Sequence, residues 1–156
     1  MDKITDFWIQ IFHNRVLISG IVGSFSAQII KTIIYALINR KLDLSRLVGD
    51  GGMPSAHAST VCCMAATAGI TCGVGSPVFA VAVIFAFVTM RDALGVRRQA
   101  GKHAVVLNQL IEIFDPTNEL LPEQRLKEFV GHTPMQVLTG AVWGIAMALL
   151  MNLFFA

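Results

Sequence analysis

Ser55 and His57 stand two residues apart in the stretch Gly49-Asp50-Gly51-Gly52-Met53-Pro54-Ser55-Ala56-His57, just before an apolar run. That combination suits an anion, above all a phosphate. Gly51 and Gly52 leave backbone N–H groups open to close approach. A helix starting at Ser55 would add unpaired N–H groups and the positive end of its dipole. Ser55 brings a hydroxyl, and Arg91, Arg97 and Arg98 bring forked donors for phosphate oxygens. His57 and His132 are two imidazoles that can divide the roles of nucleophile and general acid. Lys31, with Gln28 one turn before it, is a cation well inside an apolar segment. A charge there is costly, which points to a packed or pathway-facing role. Asn108 is a further polar candidate, for the site or for an interface.

These residues must be positioned by a membrane-type scaffold. Hydrophobic residues make up 54% of the 156-residue chain and charged residues only 14%, where soluble domains carry nearer a quarter. The apolar residues lie in long blocks, so the expected architecture is all-α: one domain, 1–156, an integral membrane bundle of about four transmembrane helices plus short interfacial helices. The net charge of +2 and the absence of a basic stripe interleaved with aromatics exclude a nucleic-acid partner. The three cysteines, Cys62, Cys63 and Cys72, read as small buried hydrophobes, not as a disulfide framework.

The expected spans are 16–38, 54–73, 77–90 or a turn further, and 134–155. Residues around Phe7, Trp8, Ile11 and Phe12 predict an interfacial helix before the first span. Gly20 with Ser24, Gly23 with Ala27, and Gly140 with Gly144 are spaced by four, which lets helix backbones approach closely. The connection 91–133 is too long to be structureless. Residues 103–114 predict a helix lying on the interface, 115–118 a turn, and 121–130 a second short helix that Gly131 would end. With four spans both polar connections fall on one side. Ser55, His57, Arg91, Arg97, Arg98 and His132 then share one depth.

Three segments together resemble a known family: Gly51-Gly52-Met53-Pro54-Ser55-Ala56-His57, Arg91-Asp92-Ala93-Leu94-Gly95-Val96-Arg97-Arg98, and Gly131-His132-Thr133-Pro134. They look like the divergent branch of the type 2 phosphatidic acid phosphatase superfamily, which also contains vanadium-dependent haloperoxidases. Pro54-Ser55-Ala56-His57 matches a Pro-Ser-Gly-His signature with alanine for glycine. His132-x3-Gln136 stands where the superfamily has His-x3-Asp. The resemblance implies an acid phosphatase-like phosphoric ester hydrolase acting on a lipid phosphate or diphosphate, with no metal or other cofactor required. It assigns His132 as the attacking nucleophile, forming a phosphohistidine, and His57 as the proton donor to the leaving group. Ser55 and the amides near Gly52 would hold the phosphate oxygens, and the cations would offset developing charge. Gln136 replaces the orienting aspartate, and an amide fixes a tautomer without stabilising an imidazolium by charge. The superfamily's Lys-x6-Arg-Pro signature is absent as written, and the separate arginine that the superfamily carries six residues before the nucleophilic histidine would fall at Leu126.

Positive charge is concentrated on the polar side, at Arg40, Lys41, Arg46, Arg91, Arg97, Arg98, Lys102, Arg125 and Lys127, against Lys3 and Arg15 on the other. The expected location is therefore a multi-pass protein of the bacterial plasma membrane with its polar cluster facing the cytoplasm. Two alternatives share the fold: a non-catalytic protein binding an anionic lipid or a partner, favoured by Gln136, and a lipid carrier using Lys31 and Gln28.

Overall fold

The computed structural model describes residues 2–47, 52–114, 125–126 and 131–154. Among the described residues the elements are α1 (Lys3–His13), α2 (Arg15–Asn39), a 3-10 turn (Leu44–Leu47), α3 (Ala56–Cys72), α4 (Pro77–Leu94), α5 (Val96–Phe114) and α6 (Pro134–Phe154). Local chemistry sets the boundaries. Asn14 separates α1 from α2 and accepts the Leu17 N–H at 3.1 Å. Arg40, in the left-handed region at φ 50°, ends α2. Ser76 accepts the Phe79 N–H at 3.2 Å ahead of Pro77, which needs no N–H partner at the first helical position.

Three segments are long and apolar enough to cross a membrane: Arg15–Asn39, Pro77–Phe114 and Pro134–Phe154. The fourth expected span, α3, is a shorter apolar helix of 17 residues, about 25 Å at 1.5 Å rise per residue. It lies at the centre of the bundle, packed by α2, α4 and α6, so its neighbours shield most of its surface from lipid. α1 has no buried residue and groups Trp8 with Phe7 and Phe12 at ring separations of 5.4 and 6.4 Å. The helix expected at 103–114 begins earlier, at Val96, where Gly95 breaks the line of α4. It buries Gly101, Ala104 and Asn108, while Val106, Leu110 and Ile113 stay exposed. The turn expected at 115–118 and the helix at 121–130 lie outside the described residues, apart from Arg125 and Leu126. Cys62 and Cys63 are buried, but Cys72 at the end of α3 is exposed, contrary to the expectation for all three thiols.

Small residues let the helices meet backbone to backbone. A side chain at Gly140 would run into the Ser55 carbonyl, and one at Gly144 into the Ser59 carbonyl. On the opposite flank, Gly20 meets Met64 and Gly23 meets Cys63, with the Ser59 hydroxyl donating to the Gly23 carbonyl at 2.8 Å. The pairings fix directions: α2 is antiparallel to α3, while α6 is parallel to it. Trp143 Nε1 donates to Ser26 Oγ at 3.0 Å and ties α6 to α2. The N-termini of α3 and α6 and the C-termini of α2 and α4 therefore share one end of the bundle.

Gly144→Val should destabilise the detergent-purified protein by about 2 kcal/mol or more, as overpacking does in a close-packed interior. Leu138→Val, on the exposed outer side of α6, should change little. Thermal unfolding of the two variants side by side checks this.

Candidate functional site

Ser55 precedes the first residue of α3 and is fully buried. Its N–H donates to the Gln136 carbonyl at 3.0 Å, so the start of α3 is fastened to the first turn of α6. Its hydroxyl oxygen accepts the Ala58 N–H at a long 3.4 Å, which leaves the hydroxyl proton available to another acceptor. His57 follows in the first turn of α3 and is half-buried.

His132 is 5% exposed, and its N–H donates to the Ala93 carbonyl at the end of α4, at 3.1 Å. Its ring lies 5.9 Å from that of His57, centroid to centroid, at 60° between planes. Thr133 and Gln136 form a capping box at the start of α6. The Gln136 N–H donates to Thr133 Oγ1 at 3.3 Å, and Gln136 Oε1 accepts the Thr133 N–H at 3.0 Å. The same Oε1 lies 3.3 Å from His132 Nδ1. Because the Thr133 N–H can only donate, the Gln136 atom facing it is oxygen. An attractive contact then requires the proton on Nδ1, which leaves the lone pair on Nε2. The S/T-x-x-Q spacing of this box is present in the sequence as Thr133-Pro134-Met135-Gln136.

Gly131, at φ 93°, leads into His132. A Cβ there would fall 2.5 Å from Arg98 N and 2.8 Å from Arg97 C, so glycine is required both by conformation and by the backbone of α5 lying against it. Gly52, at φ 81°, rests on the aliphatic stem of Lys31, where a Cβ would meet Cδ at 3.0 Å. Lys31 is 6% exposed. Ser55, His57, His132, Gln136, Gly52 and Lys31 thus gather at one end of the bundle. Gly51 lies outside the described residues.

The arginines stand at the corner between α4 and α5. Arg91, Arg97 and Arg98 are exposed, and Arg97 is paired with Asp92 at 2.7 Å. Asn108, buried on α5, donates its amide N–H to the Leu126 carbonyl at 2.9 Å and accepts the Leu126 N–H at its Oδ1 at 3.0 Å. With the Arg125–Glu112 ion pair at 3.1 Å, it holds the returning connection against α5. Ala93, Gly131 and Thr133 position His132, and none of them was singled out for this from sequence. Their contribution is made by backbone atoms or by helix capping, which carry no side-chain signature of catalysis. Among the described residues no three His, Cys, Asp or Glu side chains converge as metal ligands.

The family described as the divergent PAP2 family matches residues 12–147. The uncharacterized membrane protein YuiD of Bacillus subtilis (strain 168) is 36% identical over 156 residues, covering 94% of this chain and 99% of that protein. No solved structure matches the chain. The matched region runs from the end of α1 to the middle of α6 and takes in both histidines, and by it the chain belongs to the divergent PAP2 family of membrane proteins.

Proposed function

We propose that this protein is a membrane lipid-phosphate or diphosphate phosphohydrolase working through a phosphohistidine. The observation that carries this is the His57–His132 pair, 5.9 Å apart, at the shared N-terminal end of α3 and α6. In the first step His132 Nε2 attacks phosphorus. A P–N bond forms as the P–O bond to the lipid alcohol or phosphate breaks, and His57 as an imidazolium gives its proton to the departing oxygen. In the second step water attacks phosphorus, with the neutral His57 taking its proton, and the P–N bond breaks to release phosphate. Lys31, the amides around Gly52, the start of α3 and the arginines of the α4–α5 corner would offset charge on the phosphoryl oxygens.

Gln136 favours a second function, binding of an anionic lipid without turnover. Its amide orients His132 but supplies no charge to a phosphorylated imidazole.

Wild-type protein in detergent should release phosphate from lipid mono- or diphosphates, and His57→Ala and His132→Ala should each reduce the rate by about 10²-fold or more. Phosphate release unchanged in His132→Ala would overturn the nucleophile. Gln136→Glu preserves the capping box and adds a charge beside His132. A turnover gain of about tenfold is expected, with the acid limb of the pH–rate profile moved to higher pH, since a carboxylate favours the charged imidazole. An unchanged rate and profile would reduce Gln136 to a helix cap.

The positive charge around the site favours the cytoplasmic side. Cys72 is exposed at the opposite end of α3, while Cys62 and Cys63 are buried. A membrane-impermeant maleimide should therefore label Cys72 on intact cells. Labelling only after lysis would reverse the orientation.

A further inference from the structure

Both α2 and α4 pack on α3, yet among the described residues no α2 Cα lies within 8 Å of an α4 Cα. The bundle is therefore open along one side. A groove of about 420 Å³ occupies that gap, lined by Val16 of α2, Met64 of α3, and Val78, Val81, Ala82 and Phe85 of α4.

Beyond the groove, the helix faces that line it run on toward the histidines. Met64, Thr60 and His57 follow one another at helical spacing on α3, and all three are half-buried. The rise from Met64 to His57 is about 10 Å. On α4, Phe85 is succeeded at the same spacing by Thr89 and Asp92, again half-buried. Both walls thus change from apolar to polar on approaching the histidine end.

The third wall does the same. Ser26 meets Trp143 of α6, so Gln28, about 200° further round α2, lies on the flank turned from α6. Gln28 Oε1 is buried and has no hydrogen-bond partner among the described residues. A buried amide oxygen calls for a donor.

We infer that the α2–α4 gap is the tail slot for the amphiphile whose phosphate sits at His57 and His132. The lipid enters sideways from the bilayer, its hydrocarbon chain lying along Met64, Val78, Ala82 and Phe85. This rests on the lipid-phosphate function proposed above for the headgroup. The slot itself makes a separate claim, about which chain is held and where.

The test uses the full-length protein in phosphatidylcholine nanodiscs doped with a phosphatidic acid carrying a diazirine at the end of one acyl chain. A phosphatidylcholine with the same photoreactive chain serves as the comparison. The phosphatidic acid probe should label the peptides containing Met64 and Val78 to Phe85 well above the phosphatidylcholine probe. Ala82→Leu and Val78→Trp should lose that labelling; Val78 is 51% exposed and so tolerates bulk without disturbing the core. Ile84→Trp, on a neighbouring surface of α4 outside this groove, should retain it.

Equal labelling by the two probes, or labelling concentrated on the outer side of α6, would overturn the slot. Labelling needs no turnover. Selective labelling in a protein that releases no phosphate would keep the slot and reject the hydrolase. Phosphate release without selective labelling would do the reverse.

Discussion

Everything at the polar end depends on the close parallel contact of α3 with α6. Between helices in lipid there is little hydrophobic driving force, so packing and hydrogen bonds must hold them. Gly140 and Gly144 allow the backbones to touch at Ser55 and Ser59, and the Ser55 N–H closes the contact on the Gln136 carbonyl at 3.0 Å. That bond joins the residue before α3 to the first turn of α6, so the two helices start at one level. Two helix N-termini then face the same space, and their dipoles add there. His57 lies in the first turn of one helix and His132 just ahead of the other. Their proximity follows from the register of the glycines.

The other elements fix the remaining freedom of His132. Its backbone N–H is held by the Ala93 carbonyl at 3.1 Å, which uses an acceptor left unpaired at the end of α4. The chain enters through Gly131, pressed on the backbone of Arg97 and Arg98. The break at Gly95 turns α5 away from α4, and the double hydrogen bond of Asn108 to Leu126 lays the returning segment against it. Asn108 therefore fixes Leu126 against α5. Lys31 approaches from α2, its stem covered by Gly52. The site is assembled from four helix ends, each contributing one or two groups.

Much of this was legible in the residues. Hydropathy located four apolar segments, three to within two residues and α4 with the turn beyond Met90 that the sequence allowed, and capping residues such as Ser55, Ser76 and Thr133 mark the helix starts chemically. The common depth of Ser55, His57 and His132 followed from counting crossings. Hydropathy is blind to neighbours, however. It treated α3 as one span among equals, whereas α3 is the short helix around which the others pack. The parallel pairing of α3 with α6 is a long-range contact with no local signal beyond the two glycines. The open side between α2 and α4 is likewise invisible, since both helices carry apolar residues all round. The start of α5 at Val96 was missed because its first turns are basic and helical periodicity shows only from Ala104 onward.

Gln136 brings these threads to one atom. Its single Oε1 serves the capping box of α6 and sits 3.3 Å from His132 Nδ1, so the tautomer of the histidine is tied to the start of the helix that carries it. A carboxylate in this place would do both tasks and add a negative charge. Replacing it by an amide has two opposed effects. The cation formed when His132 is phosphorylated loses its nearest compensating charge, which raises the barrier. The anion that binds beforehand loses a repulsive neighbour, while Lys31 and the two helix N-termini still attract it. For the proposed phosphohydrolase, the exchange would move the balance of the site from turnover toward retention of phosphate. In the hydrolase proposed above, an amide at 136 would hold the ligand longer than an aspartate would, and the inferred lateral slot would act in the same direction.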